Sequence, residues 1–179
     1  MEKNMKSIAA NFEKFCENHE FTLEREDDED GDYILYRLNI GLDCSLGTIH
    51  YKIIFEENVV TIIGDIDANA GKRKNEVGEF LMRLNDDEYL GHMQMDYDSG
   101  DILYQTRLGY ETFTEEDDFH ELNRCSINRA EMYGDSLMKV ILGVMSPKEA
   151  YDEVQKRLEE DQAEDADSAE DSEDTDAKK

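Results

Sequence analysis

The chain has 179 residues and a formal net charge of -27, from 46 acidic and 19 basic residues. This length favours one domain, because compact domains typically take ~100–200 residues. The negative field repels phosphate backbones, so we expect neither nucleic-acid binding nor attachment to anionic membrane surfaces. The same field favours solubility and partners with basic surfaces, and we rank the prevention of aggregation above binding of any specific basic ligand.

The cysteines and the apolar segments indicate the compartment. Cys16, Cys44 and Cys125 lie far apart, are odd in number and form no CxxC pair, which argues against a disulfide framework or a zinc site. The first residues lack the continuous apolar stretch of a signal peptide, and no segment approaches the ~20 apolar residues of a membrane span. We therefore expect a cytoplasmic protein that holds no metal or cofactor.

The first half of the chain predicts one helix and then four strands. A helix is predicted because apolar residues recur three or four positions apart, and it ends near Asn18. Those residues are Met5, Ile8, Ala9, Phe12, Phe15 and Cys16. The strand candidates are a short one at Phe21 and Leu23 and the runs 33–40, 48–55 and 59–66. Brief acidic connections, including a turn at Gly31, predict an antiparallel meander.

A second helix and a hairpin follow. The helix ends near Asn85 and carries an apolar face made of Val77, Phe80, Leu81 and Leu84. Residues 90–97 and 101–110 are rich in strand-forming residues, and Ser99 and Gly100 between them supply the chemistry of a tight turn.

Two more helices are predicted after the hairpin. Thr114 resembles an N-cap, with Asp117 three positions later, and the long helix that follows ends at Gly143. Ser146 then caps a last helix, since Pro147 suits the first helical position and Glu149 completes a capping box.

This order of elements predicts an α+β fold, with a mostly antiparallel sheet and helices packed on one face. We assign residues 1–158 to this domain. The similarity of GDYILY at Gly31 to GDILYQ at Gly100 suggests two pseudo-repeated halves, about 1–69 and 70–158, although two acidic turns that converged on similar chemistry explain it nearly as well. Residues 159–179 contain no apolar residue larger than Ala, so we expect a disordered acidic tail.

Four features of the second half occur in a set order. A helix ends in the pair Leu84-Asn85, and Gly91 then precedes the hairpin, whose second strand carries Arg107. The long helix contains Tyr133 followed by Leu137, Val140 and Ile141. A Gly-x-x-Ser-Pro-x-Glu-Ala signature comes last, with Gly143, Ser146, Pro147, Glu149 and Ala150. Together these features resemble the YbjN family, titled "putative bacterial sensory transduction regulators", over about residues 5–158.

The resemblance implies an α+β domain similar to the type III secretion chaperones. It also implies that there is no cofactor, that no catalytic residue is established, and that dimerisation is an option. The segment RCSINRAEMYG is more polar than the family pattern, which leaves the packing face of the long helix open. A shared fold does not by itself transfer a function.

One acidic turn resembles part of a calcium-binding loop. Glu26, Asp28, Asp30 and Gly31 fall at the first, third, fifth and sixth positions of an EF-hand loop. The twelfth position is Arg37, which places a cation where the bidentate Glu ligand belongs. We interpret the segment as a solvated hairpin turn, with weak divalent-ion binding as the alternative.

Motifs of enzymes fail at their key positions. In the basic segment 71–74, a P-loop would need Gly at position 66 and Ser or Thr at position 73, where the chain has Ile66 and Arg73. We interpret this segment as a solvated loop, with docking of the acidic tail as a second reading. His120 begins no HExxH motif, because Arg124 occupies the position of the second His.

Tyrosines near the predicted strands offer the best physical route to a binding surface. They are Tyr33, Tyr36, Tyr51, Tyr97, Tyr104 and Tyr110. Alternation along a strand predicts that about half point away from the helices. With apolar neighbours, such residues would form an interaction patch or a dimer interface on the sheet.

We therefore expect a non-enzymatic protein-interaction module, regulatory or chaperone-like, that acts through its sheet face or a groove beside its C-terminal helices. The partner is an unidentified protein, and a homodimer is an additional expectation. The alternatives are a divalent-metal or small-ligand binding protein that uses the acidic turns, and an enzyme with an unrecognised site. The sequence identifies no catalytic, cofactor-binding or metal-ligating residue.

Overall fold

The structure, a computed structural model, describes residues 4–87, 91–112 and 117–160, apart from the side chains at 87, 112, 117–118 and 120–125. Within these ranges the predicted α+β class is confirmed. The helices are α1 (Met5–Asn18), α2 (Lys74–Leu84), α3 (Asp117–Ile141) and α4 (147–160). The strands are β1 (Glu24–Asp27), β2 (Ile34–Gly41), β3 (Thr48–Phe55), β4 (Val59–Asn69), β5 (His92–Met95) and β6 (Asp101–Gly109). Short 3₁₀ turns follow α2 and β6 at Asn85–Asp87 and Tyr110–Thr112.

The six strands form one sheet in the order β1-β2-β3-β4-β6-β5, and each neighbouring pair is antiparallel. The first four strands form the predicted meander. The β5–β6 hairpin joins it through β6, which pairs with β4, so α2 carries the chain from β4 to the far edge of the sheet. The pseudo-repeat of two halves stays a prediction.

Apolar alternation decides which face of the sheet enters the core. In β3, Ile49, Tyr51, Ile53 and Phe55 are buried while the residues between them are half-buried. Successive side chains of a strand point to opposite faces, so this pattern assigns one whole face to the helices.

The helices pack on that face. Phe12 of α1 lies with its ring centroid 5.3 Å from that of Tyr36 and 5.6 Å from that of Phe55. On α3, the buried Ser126 hydroxyl shares a 2.6 Å hydrogen bond with the Tyr51 hydroxyl. Helix α4 packs beside α3, where a 2.7 Å ion pair joins Lys139 and Glu153 and Val154 enters the core. The sequence did not determine which face of α3 packs on the sheet. The structure shows that the face with Ser126 does so.

The first strand differs from its prediction. β1 lies within the acidic stretch that we read as a turn, whereas Phe21 and Leu23 precede it and pack against the core. All four residues of β1 are exposed, so an edge strand of this kind needs no apolar alternation. Its attachment is polar instead, since Arg25 forms a 2.6 Å ion pair with Glu13 of α1.

The predicted boundaries of the last helices are confirmed where the structure describes them. Gly143 has a φ of +73° and ends α3 in a Schellman motif, in which the Val144 N–H bonds to the Lys139 carbonyl at 2.8 Å. Ser146 and Glu149 form the predicted capping box, with backbone-to-side-chain distances of 2.9 and 3.3 Å. The predicted N-cap at Thr114 and the acidic tail from residue 161 lie outside the described residues.

Candidate functional site

The predicted tyrosine patch on the outer face of the sheet is wrong. Tyr36, Tyr51 and Tyr104 all lie on the core face and are buried, and so is Tyr110. Tyr51 and Tyr104 flank Gly64 in the register of neighbouring strands, and the missing side chain there leaves room for large neighbours. Tyr33 is half-buried just before β2, so the exposed member of the set is Tyr97, in the β5–β6 loop.

The outer face of the sheet combines aliphatic side chains with charges that pair across strands. The aliphatic residues are Leu35, Ile54, Val59, Ile63 and Leu103, all buried or half-buried. The ion pairs are Arg37–Glu26 and Lys52–Asp65, both at 2.6 Å, and Arg107–Glu56 at 3.3 Å. Charged side chains on this face therefore find partners within the sheet and its turns.

A groove of about 460 Å³ runs along the exposed side of α2. Its lining is formed by Asn75, Gly78, Glu79, Met82, Arg83, Asp86 and Tyr97. The residues from α2 and the 3₁₀ turn after it recur three or four positions apart, so they lie on one helix face. Met82 and Tyr97 both line this groove. They are among the most exposed large apolar side chains of the described residues, at 77% and 58%. We call this feature the α2 groove.

Gly78 creates the space that Tyr97 fills. A Cβ at position 78 would collide with the Tyr97 hydroxyl, so the hydroxyl end of the tyrosine lies directly against the helix backbone. Glycine inside a helix is about 1 kcal/mol less favourable than alanine. The helix accepts this cost in order to hold an aromatic side chain that remains mostly exposed.

The backbone around Tyr97 is fixed by hydrogen bonds. The Lys74 ammonium donates to the carbonyl oxygens of Tyr97 and Asp98, at 2.8 and 2.7 Å. One oxygen of Asp96 accepts from the backbone N–H groups of Asp98 and Ser99, at 2.7 and 3.1 Å. The backbone of the loop that carries Tyr97 is therefore held in place before any ligand binds.

Asn85 joins the end of α2 to the free edge of β5. Its side-chain amide donates to the Met93 carbonyl at 2.8 Å and accepts from the Met93 N–H at 3.1 Å. These two bonds imitate a neighbouring strand and cover part of an edge that would otherwise be open. They also fix α2 relative to the hairpin that carries Tyr97.

Charges around the groove are unequally matched. Glu79 binds the Arg83 guanidinium through hydrogen bonds of 3.0 and 2.8 Å, which neutralises both side chains. No cation of the described residues pairs with the side chain of Asp86 or Asp98. The exposed carboxylates of Asp86, which lines the groove, and of Asp98, which follows Tyr97 in the chain, therefore give the rim of the α2 groove an acidic character.

The basic segment 71–74 is less solvated than predicted. Arg73 lies against Gly143 at the end of α3 and forms a 3.5 Å ion pair with Glu76. Lys74 is committed to the Tyr97 loop, as described above. Only Gly71 and Lys72 of this segment are exposed in the way that a solvated loop requires.

The calcium-like turn uses its own acidic groups. One oxygen of Asp28 accepts from the N–H groups of Asp30 and Asp32, at 3.2 and 3.3 Å. Glu26 binds Arg37, the residue that fills the twelfth position of the loop. Among residues 4–87, 91–112 and 117–160, no three His, Cys, Asp or Glu side chains are close enough together to hold a metal ion.

Several ionisable groups with displaced pKa values lie in the core. Burial raises the pKa of the Cys16 thiol to about 12 and that of the Tyr51 hydroxyl to about 12. Burial, followed by the nearby Glu56 carboxylate, also raises the pKa of Tyr110 to about 12. None of these three residues lines the α2 groove.

Comparison with protein families matches residues 9–138 to YbjN, described as "Putative bacterial sensory transduction regulator". The match spans well over half of the 179 residues. The chain belongs to the YbjN family. Every residue that lines the α2 groove falls inside the matched part, whereas the signature that begins at Gly143 lies beyond it. The search of curated proteins returned no match.

Most of the features that carried the YbjN resemblance serve the fold. Leu84 is buried and Asn85 makes the joint to β5. Gly91 has a φ of +74° and lies where a Cβ would collide with the Tyr104 hydroxyl. Arg107 differs from these, because it lies exposed on the outer sheet face beside Glu56. Of the helices that the structure describes, none combines the length and apolarity needed to cross a membrane.

Proposed function

We propose that this YbjN-family protein is a regulatory protein-interaction module without enzymatic activity, and that the α2 groove is its principal binding surface. One observation carries the proposal. Met82 and Tyr97 are strongly exposed on a scaffold whose backbone is already fixed by Lys74 and Asn85.

Binding energy at protein interfaces is concentrated in a few side chains, and aromatic residues are enriched among them. A tyrosine has few rotatable bonds, so little conformational entropy is lost when it becomes buried against a partner. Fixing the surrounding loop in advance lowers the cost of binding further. These properties favour Tyr97 as an anchor of an interface.

The non-enzymatic part of the proposal is supported by the position of the groups whose pKa values are strongly raised. Catalytic groups need a pKa tuned to their task and a position beside the substrate. The raised pKa values of Cys16, Tyr51 and Tyr110 belong to buried groups away from the groove. Inside the groove, Glu79 is committed to Arg83.

We further propose that the protein acts in the cytoplasm. Cys16 and Cys44 are free thiols, which is the usual state in a reducing compartment. The side chain of Cys125 lies outside the described residues.

The function is tested by comparing the proteins that bind the tagged full-length chain and two variants at ~0.15 M salt. Tyr97→Ser removes the aromatic wall of the groove. Leu142→Ser removes a similarly exposed apolar side chain, at 69%, from the α3–α4 turn, which is not part of the groove lining. We expect at least one protein to be retained by the parent chain and Leu142→Ser but lost with Tyr97→Ser. An identical set from all three chains, or nothing above background from the parent, would contradict the proposal.

A further inference from the structure

We propose that the α2 groove binds a basic amphipathic segment of another protein, with an apolar or aromatic anchor flanked by Lys or Arg side chains. This inference rests on the proposed function, because it names the class of partner for the same groove. Shape argues for the anchor, and charge argues for its flanks.

The floor of the groove selects an apolar anchor. Gly78 contributes no side chain, Met82 is flexible and polarizable, and the Tyr97 ring forms a wall on a loop whose backbone is fixed by hydrogen bonds. Methionine adapts to partners of different shape and contacts aromatic rings favourably. The groove, of about 460 Å³, is open to solvent, so it suits the side chains of a docked segment rather than an enclosed small molecule. One or two large side chains of a partner are of suitable size for this space.

The rim of the groove selects basic flanks. Three neighbouring cations are already committed: Arg83 to Glu79, Arg73 to Glu76, and Lys74 to backbone carbonyl groups. The side chains of Asp86 and Asp98 have no cationic partner among the described residues, and both are exposed. A Lys or Arg side chain next to the anchor would pair with either carboxylate.

The charge of the whole chain favours the same partner over the alternatives. A net charge of -27 attracts a basic segment from a distance and repels an acidic one. A second copy of this chain would bring the same charge and would have to overcome that repulsion. A nucleic acid would be repelled for the same reason.

The experiment uses the full-length chain and three short synthetic peptides of equal length. The first places Leu at intervals of three and four residues and Lys at the remaining positions, so that a helix has one apolar and one basic face. The second replaces each Lys by Glu, and the third replaces each Leu by Ser. Fluorescence anisotropy at ~0.15 M salt measures the three affinities. We expect the Lys/Leu peptide to bind at least about tenfold more tightly than either of the others.

Protein variants test whether the groove is responsible. Met82→Ser should weaken binding of the Lys/Leu peptide at least about tenfold, whereas Leu142→Ser should leave it within about twofold. Asp86→Lys should weaken it more at low salt than at high salt. Glu57→Lys makes the same change of net charge in the β3–β4 turn, near the opposite end of β6 from Tyr97, and should have a smaller effect. The changed side chains of Met82, Leu142 and Glu57 are exposed, and thermal unfolding checks that each variant is folded.

Distinct results would overturn the inference. Equal binding of the Lys/Ser peptide, unaffected by Met82→Ser, would show attraction to the charge of the chain alone. Equal binding of the Glu/Leu peptide would exclude a basic partner class. If either result occurs while Tyr97→Ser still abolishes recovery of a cellular partner, the groove keeps its function and only the partner chemistry is wrong. If Tyr97→Ser has no effect on recovery either, the proposed function fails as well.

Discussion

The outer sheet face and the α2 groove both carry apolar side chains that lie outside the core. The two surfaces differ in how exposed these side chains are and in whether the neighbouring charges are paired. On the sheet, Ile54 and Ile63 are half-buried by their neighbours, and the charges around them pair across strands, as Lys52 does with Asp65. In the groove, Met82 and Tyr97 stay exposed, and the carboxylates beside them lack cationic partners among the described residues.

This difference shows why an uncovered sheet face is a weak indication of a binding surface. Cross-strand pairing satisfies polar groups within the sheet itself, so water is an adequate neighbour for that face. The groove instead combines an unfavourable glycine in a helix with exposed apolar side chains, and neither feature helps the chain to fold. A surface that lowers stability for no structural return indicates function.

The largest effect is expected from Asn85, which joins α2 to β5 beside the groove. Asn85→Ala removes both hydrogen bonds to Met93 and frees α2 from β5, so the free energy of unfolding should fall by about 2–3 kcal/mol. Asn39→Ala, which removes an amide bonded to His50 on the outer face, should cost less than about 1 kcal/mol. Urea denaturation measures both, and equal losses would show that Asn85 has no special role.

The next largest effect comes from replacing one apolar side chain on each surface by serine and comparing the two variants. Met82→Ser should weaken partner or peptide binding at least about tenfold, or about 1.4 kcal/mol, with little change in stability. Ile63→Ser on the outer face should lower stability by about 1 kcal/mol and leave binding within about twofold. If Ile63→Ser is the variant that loses binding, the sheet face and not the groove is the interaction surface.

A substitution at the contact between α3 and α4, away from both surfaces, provides a reference for effects on stability alone. The Lys139 ammonium, followed by Ser136 and Arg157, holds the pKa of Glu153 below its ordinary value of 4.5, although partial burial opposes this. A lowered folded-state pKa gives stability that is present above pH 4.5 and is lost as the pH falls through the lowered value. Glu153→Gln should therefore cost about 1 kcal/mol at neutral pH and flatten the acid side of the stability profile. An unchanged profile would mean that this pair contributes nothing.

The smallest effect is expected from the ion pairs of the sheet. Lys52 and Asp65 are both more than a third exposed, so their coupling in a double-mutant cycle should be only about 0.2–1 kcal/mol and should shrink with salt. A coupling well above this range would mean that the outer face is organised more tightly than its exposure implies.

Local patterns in the sequence predicted those parts of the fold that depend on neighbouring residues. The apolar spacing of α1, the alternation of β3 and the capping box at Ser146 are each complete within a few positions. The prediction for β1 is wrong because an exposed edge strand is specified by its partners, such as Glu13 for Arg25, rather than by its own alternation.

The candidate site was harder to predict because it depends on contacts between distant residues. Tyr97 was named, but Met82 and Asp86 were missed, since nothing local shows that α2 lies against the β5–β6 loop. Gly78 in the middle of an apolar helix pattern was the available signal, because glycine there usually has a packing or functional reason. The burial of Tyr51 could also have been inferred, since it alternates in phase with Ile49 and Ile53.

Gly78→Ala separates binding from stability most directly. The added methyl group meets only the far end of the Tyr97 side chain, which can swing away, and alanine favours the helix by about 1 kcal/mol. We predict that the melting temperature stays the same or rises while affinity for the partner or the Lys/Leu peptide falls at least about tenfold. Unchanged affinity in a folded Gly78→Ala variant would contradict the assignment of the α2 groove as the binding surface.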